Sequence, residues 1–177
     1  MEQQKRVHIG QHSIRTAIAV TLVAALYLLV ERNPSFACMG AVFGVGTDMA
    51  GSRRNGGNRF VGTVIGGLQG MGLFRLYLFI YPDGKARLLI LPFLFVGVVL
   101  LILCSRVFWK GAVQPGGVVL SLLLFNTPPE TYLSYSINRI IDTGVGVLVA
   151  LLISWLLPRE RVNRWLRRMG ITPAPHD

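Results

Sequence analysis

Residues 138–158 read NRIIDTGVGVLVALLISWLLP, and their opening has a counterpart earlier in the chain, where residues 58–67 read NRFVGTVIGG. Both stretches fit Asn-Arg-x-x-x-Thr-x-x-Gly, and both run on through an apolar segment to a proline, Pro82 or Pro158. On a helix, residues four and three apart share a face. Arg59, Thr63 and Gly66 therefore line one helix, and Arg139, Thr143 and Gly146 line another. A polar stripe on a greasy helix, present twice, points to an internally duplicated membrane protein with paired motifs beside a solute path.

Working outward, composition agrees with that class. Of 177 residues 52% are hydrophobic and only 15% charged, with a mean hydropathy of +0.53; a soluble domain of this size carries more charge. The net charge of +10 would point to nucleic acid in a soluble protein. Here the basic residues fall between apolar runs, so membrane topology accounts for them and no nucleic-acid partner is expected. Cys38 and Cys104 both sit in apolar runs, which reads as buried thiols without a disulfide. The first apolar run lacks a small-residue cleavage site, so no cleavable signal peptide is expected.

The chain divides into six apolar segments. Residues 1–12 form a polar, basic cytoplasmic lead, and residues 13–158 form the membrane domain. Residues 16–30, extended back to 13, make a first span, which Glu31-Arg32-Asn33-Pro34 ends. Residues 36–47 (FACMGAVFGVGT) are apolar but short and glycine-studded, and residues 48–58 read as a polar loop carrying Arg53 and Arg54. A third span starts at 60 and runs to about 81, with a turn at Pro82-Asp83-Gly84. The fourth covers 88–105, the fifth lies within 111–129 and the sixth is 138–157. A helical crossing takes roughly 20 residues, so the second and fifth are marginal and read as tilted, broken or re-entrant. Helices are the required form because lipid offers backbone groups no partners.

With the N-terminus in the cytoplasm and six crossings, the inside collects Lys5, Arg6, Arg15, Arg53, Arg54, Arg59, Arg106, Lys110 and the arginines of the tail. The outside collects only Arg32, Lys85, Arg87 and Arg139, with Arg75 near the outer interface. This bias places both termini inside, which in a bacterium means a multi-pass protein of the inner membrane. Residues 159–177 form a basic tail. In it Val162, Trp165, Leu166 and Met169 share a helical face, with Arg161, Arg164, Arg167 and Arg168 mostly elsewhere. That pattern fits a helix lying on anionic lipid; the alternative is a docking site for a partner protein.

The halves, about 13–82 and 87–158, match segment by segment. Arg15 before the first span corresponds to Arg87 before the fourth, and Gly40-Ala41-Val42 to Gly111-Ala112-Val113. The Asn-Arg motifs open the third and sixth spans. Three crossings per half turn the second half upside down, so the expected fold is an all-α, six-helix bundle of two inverted three-helix repeats. Inverted repeats with short or Gly/Pro-interrupted segments at corresponding positions mark a transport path.

Polar groups in or near the spans are the path candidates, since charge in lipid is costly and faces protein or water. Arg15, Asp48 and Arg59 lie toward the cytoplasmic side; Arg87, Arg139 and Asp142 lie toward the outside. One reading makes them basic gates for an anion, with Asp48 and Asp142 holding the arginines or carrying protons. The other makes the arginines snorkelling residues that close the bundle. Thr63 and Thr143 either offer hydroxyls or return hydrogen bonds to their own helices. Gly62, Gly66, Gly70, Gly144 and Gly146 read as close-packing sites, and Gly40, Gly44, Gly46, Gly116 and Gly117 as places where backbone could approach a solute. His8 and His12 lack acidic or Cys partners, so no metal or cofactor is expected. With no phosphate loop and no nucleophile elbow, the chain does not read as an enzyme.

The passages HSIRTAIAVTLVAALYLLV, SRRNGGNRFVGTVIGG and NRIIDTGVGVLVALLISWLLP resemble the fusaric-acid-resistance or aromatic-acid-exporter superfamily, to which plant aluminium-activated malate transporters are distantly related. The resemblance spans most of residues 10–158. It is most specific at Arg59, Gly62, Thr63 and Gly66, echoed by Arg139, Thr143 and Gly146. It implies a six-helix unit handling organic anions, particularly aromatic carboxylates, by efflux or channel-like conduction. Larger members carry a cytoplasmic domain or two such units, so a homodimer is expected to complete the pathway here. Asp142 stands where the first motif has Gly62, which breaks the equivalence of the two gates. The reading from another class is a non-transporting scaffold or anchor that binds a partner through the basic tail.

Overall fold

The computed structural model describes residues 11–82 and 87–168. Among them the regular structure is helical throughout: α1 (Gln11–Leu29), α2 (Ser35–Gly44), α3 (Met49–Ile80), α4 (Ile90–Phe108), α5 (Val113–Asn126), α6 (Tyr132–Leu156) and α7 (Arg159–Arg168). Short 3-10 turns at Arg87–Leu89 and Lys110–Ala112 lead into α4 and α5. Four helices, α1, α3, α4 and α6, are long and apolar enough to cross a membrane. The other two apolar segments are shorter: α2 has 10 residues and α5 has 14. At 1.5 Å per residue they reach roughly 15 and 21 Å, less than the roughly 30 Å of a hydrocarbon core.

One sequence expectation is corrected. Residues 48–58 are not a loop: α3 begins at Met49 and runs for 32 residues. The cause is local. Asp48 caps the helix, its Oδ1 accepting from Gly51 N at 2.7 Å while its carbonyl accepts from Ser52 N at 2.9 Å, so N–H groups at the helix start are satisfied. Glycine in a helix costs up to about 1 kcal/mol against alanine, and packing offsets that here. The Asn-Arg motifs consequently lie inside α3 and α6 rather than at their starts.

The chain forms two compact units, one of Met1–Gly56 with Gly146–Asp177 and one of Gly57–Val145. In the first, α1 packs on α2 and presents Arg15, Ala19, Val23 and Tyr27, all buried, at four-residue spacing. The end of α6 packs against α2 so tightly that a Cβ at Gly146 would collide with the Ala37 carbonyl, and one at Gly44 would lie 2.8 Å from Ala150 Cβ. Ser52 on α3 and Ser154 on α6 share a hydrogen bond at 2.8 Å, both buried. Helix α7 touches α1, with Val162 buried and Arg161, Arg164 and Trp165 exposed. The side chains of Leu166, Arg167 and Arg168, and all of Met169, lie outside the described residues, as does the turn read at Asp83-Gly84.

In the second unit, α4 packs on α5 around a core of Phe74, Tyr77, Ile90, Leu120, Leu123 and Leu124. The rings of Phe74 and Tyr132 stack tilted at 5.2 Å, and Tyr77 meets Phe93 edge-on at 5.8 Å. Helices α3 and α5 touch backbone to backbone: a Cβ at Gly66 would strike Gly116, its Cα only 2.8 Å away. Along α3 and α6, Gly144 faces the Phe60 ring and Gly67 faces Ile140. Contacts that climb one helix descend the other, so the two run antiparallel here.

Burial repeats with the motif. The buried, half-buried and exposed positions of α3 from 62 to 72 recur one for one at 142 to 152 of α6. Gly66 meets Gly116 of α5, and Gly146 meets Ala37 of α2. Gly111 and Ala112 belong to the turn before α5.

Candidate functional site

Five of the polar residues selected from sequence are buried in one unit. Arg59 and Thr63 on α3 are 8% and 0% exposed, and Arg139, Asp142 and Thr143 on α6 are 1%, 4% and 1% exposed. All belong to Gly57–Val145. Ionised groups this deep in an apolar helical unit are expensive to desolvate, so they call for a function or for good partners. Arg139 Nη1 donates to Tyr135 Oη at 3.1 Å, one turn back along α6. Thr63 Oγ1 returns its proton to the Arg59 carbonyl at 2.8 Å, leaving the hydroxyl's lone pairs as acceptors.

Arg15 and Asp48 sit elsewhere. Arg15, 1% exposed, belongs to the first unit. There its Nη2 donates to the carbonyls of Gly46 and, at 2.9 Å, Thr47. These are carbonyls just past the end of α2 that no further helical turn satisfies. His12 and Asn55 reach the neighbouring Val45 carbonyl, and Gly46 N donates to Ser52 Oγ at 2.9 Å. Arg15 is thus a clamp on the α2–α3 connector. Asp48, exposed, is the helix cap already described. The side chain of Arg87 lies outside the described residues.

The glycines sort by contact. Gly62 has no room for a side chain, since a Cβ there would lie 2.6 Å from the Ala112 carbonyl and closer still to Pro115. Gly116 is closed off by Leu101 at 2.7 Å, Gly144 has Phe60 at 3.1 Å, and Gly46 abuts Gly51 and Ser52. Gly40 is buried. Gly117 is more open, its nearest contact being Leu101 at 3.8 Å. These are the close approaches that helices without an aqueous hydrophobic drive use to associate.

Sequence reasoning missed three polar groups of this unit. Ser136, fully buried, lies one turn before Arg139 on the same face, and its Oγ finds no hydrogen-bond partner among the described residues. Ser105 on α4 is in the same condition. Trp109, after α4, donates from Nε1 to Asn58 Oδ1. The helical spacing of Ser136 from Arg139 and Thr143 was a readable signal; the Trp109 contact, across a long sequence separation, was not.

Residues 12–153 match the fusaric acid resistance protein-like family, a stretch that takes in α1 to most of α6. The chain belongs to that family. It is a multi-pass membrane protein. Among curated proteins it is similar to the UPF0421 protein SH1063 of Staphylococcus haemolyticus, with 24% identity over 160 residues. That alignment takes in 89% of this chain and 45% of the relative, so the chain spans about half the length of the curated relative it matches. No solved structure matches it.

Proposed function

We propose that this family member carries organic anions, aromatic carboxylates foremost, across the bacterial inner membrane, by transport or channel-like conduction. The observation behind the reading is the pairing of buried Arg59 and Arg139 within one unit. Intramembrane ionisable groups line solute paths, and a guanidinium binds a carboxylate through charge-assisted hydrogen bonds. Thr63, Thr143 and Ser136 supply hydroxyls around them. In this scheme Arg15 and Asp48 hold the α2–α3 connector, and Arg87 belongs to the outer end of the path.

The proposed architecture has six crossings in two inverted three-helix repeats, with α2 and α5 as the short, discontinuous members. In its favour stand the recurrence of burial from α3 to α6 and the antiparallel contacts of those helices within the second unit, because equivalent helices in inverted repeats run oppositely. Both termini lie in the cytoplasm, α7 rests on anionic lipid, and a homodimer completes the path.

The test is uptake of benzoate into proteoliposomes. Arg59→Gln and Arg139→Gln should each cut flux at least about tenfold, the scale of losing one charge-assisted contact of ~1.5–3 kcal/mol. Flux that survives both substitutions rejects the arginine roles. Deleting residues 159–177 should leave flux intact; a protein that lacks flux but loses a partner on that deletion is the scaffold instead.

A further inference from the structure

We propose that Tyr135 is a positioning residue for anion binding: its phenol oxygen holds the Arg139 guanidinium along the α6 face that carries Ser136 and Thr143. The inference rests on the anion-path reading above and deepens it, by naming what readies Arg139 for a carboxylate. An arginine side chain has much rotamer freedom to lose, and a site that restrains it beforehand spares the ligand that cost. In α6 the restraint is written in the sequence. Tyr135 stands four residues before Arg139, one turn back on the same face. Arg139 Nη1 donates to Tyr135 Oη at 3.1 Å, with Arg139 buried and Tyr135 half-buried. A hydrogen bond from a charged donor is worth more in such surroundings than in water.

The post that carries the phenol is itself fixed. The amide of Tyr135 donates to the Thr131 carbonyl at 2.8 Å. Tyr132, in the same turn, stacks tilted on Phe74 of α3 at 5.2 Å, and Phe74 meets Tyr77 at 6.0 Å. Aromatic packing thus anchors the first turn of α6 to α3. Ser136 adds a second, independent observation. It lies three residues before Arg139 and seven before Thr143, so the three share a face. It is fully buried, and its Oγ finds no hydrogen-bond partner among the described residues. A buried hydroxyl in that condition has given up water without return, and a carboxylate held at Arg139 offers it an acceptor. The α3 motif is built differently. Four residues before Arg59 stands Asn55, followed by Gly56 instead of a serine, and Asn55 Nδ2 donates to the Val45 carbonyl at 3.5 Å. The effect of removing the phenol oxygen should therefore pass through Arg139 and leave Arg59 aside.

The experiment measures benzoate uptake into proteoliposomes of the full chain over a range of benzoate concentrations, expressed per folded molecule. Tyr135→Phe keeps the ring and removes the acceptor. It should raise the half-saturating concentration about fivefold, the scale of one hydrogen bond, and leave maximal flux nearly unchanged, as for an interaction that serves binding. Tyr135→Gln, which keeps an acceptor one turn from Arg139, should recover part of that loss. In the Arg139→Gln background Tyr135→Phe should change nothing further, whereas in the Arg59→Gln background it should keep its full effect. A half-saturating concentration unmoved by Tyr135→Phe, while Arg139→Gln still lowers flux, overturns the positioning role and leaves the path standing. A Tyr135→Phe loss of equal size with and without Arg139 overturns it too, since that is how a merely structural tyrosine behaves. Flux indifferent to Arg139→Gln overturns the role of Arg139 in the path and this inference with it.

Discussion

The indole Nε1 of Trp109 donates to Asn58 Oδ1 at 2.5 Å, joining the end of α4 to the first residue of the α3 motif. The ring also covers Gly57, where a Cβ would come within 2.9 Å of Trp109 Cζ2. A hydrogen bond thereby fixes the entry to the segment that carries Arg59. Trp109→Phe keeps most of the ring and removes the donor. Its expected cost is about 1 kcal/mol, read as a fall in melting temperature of roughly 2–4 °C in detergent for a chain of this size.

Gly66 and Gly146 close the two Asn-Arg-x-x-x-Thr-x-x-Gly motifs, and each backs onto another helix's backbone, at Gly116 and Ala37. Valine at either should part the helices, costing at least the 1–3 kcal/mol typical of overpacking. Gly72 is the control, with nothing within 4 Å of its would-be Cβ. Alanine there should be neutral or stabilise by up to about 1 kcal/mol through helix propensity. Thermal unfolding of the three variants decides; equal tolerance at 66 and 72 would contradict the α3–α5 contact.

Arg15 acts on structure in this arrangement, through the Gly46 and Thr47 carbonyls. Arg15→Met keeps the apolar stem and orphans those carbonyls, at about 1–3 kcal/mol for each buried polar group left unmade. Folded yield and melting temperature should fall, while benzoate flux per folded molecule holds. A variant of normal stability with lost flux would move Arg15 into the path instead.

Ser52 and Ser154 share a buried hydrogen bond at 2.8 Å, and Ser52 Oγ also serves Gly46 N and the Asp48 carbonyl. Ser154→Ala should cost about 1 kcal/mol. Ser52→Ala should cost more, since it also strands the amide of Gly46. A double-mutant cycle should return a coupling of at least ~0.5 kcal/mol, as expected for residues in direct contact; additivity would mean the bond is absent.

Much of the fold was legible because membrane helices announce themselves. Each apolar segment read from sequence contains a helix, since uncharged runs of Leu, Val and Ala in lipid have no other way to satisfy their backbone. The loop read at 48–58 failed for the converse reason. Arg53, Arg54, Asn55 and three glycines look like a turn by composition, yet the Asp48 cap and the room that Gly56 and Gly57 leave for Val147 and Trp109 keep the helix going. Arg59, Thr63, Arg139 and Thr143 were picked out by spacing and Asp142 as a charge within a span, and the five share one unit. Arg15 had the same appearance, but its partners are backbone carbonyls, which no side-chain pattern reveals.

From the residues alone came the helical membrane class, the duplicated Asn-Arg motif and the polar face it must present, because hydropathy and periodicity are carried by each residue's own side chain. Only the tertiary structure decided the extent of α3, the close approach of α3 to α5 and the different surroundings of Arg15 and Arg59. Those depend on which small residues let distant backbones approach and on which carbonyls a helix end leaves open, and both are settled by contacts between segments far apart in the chain.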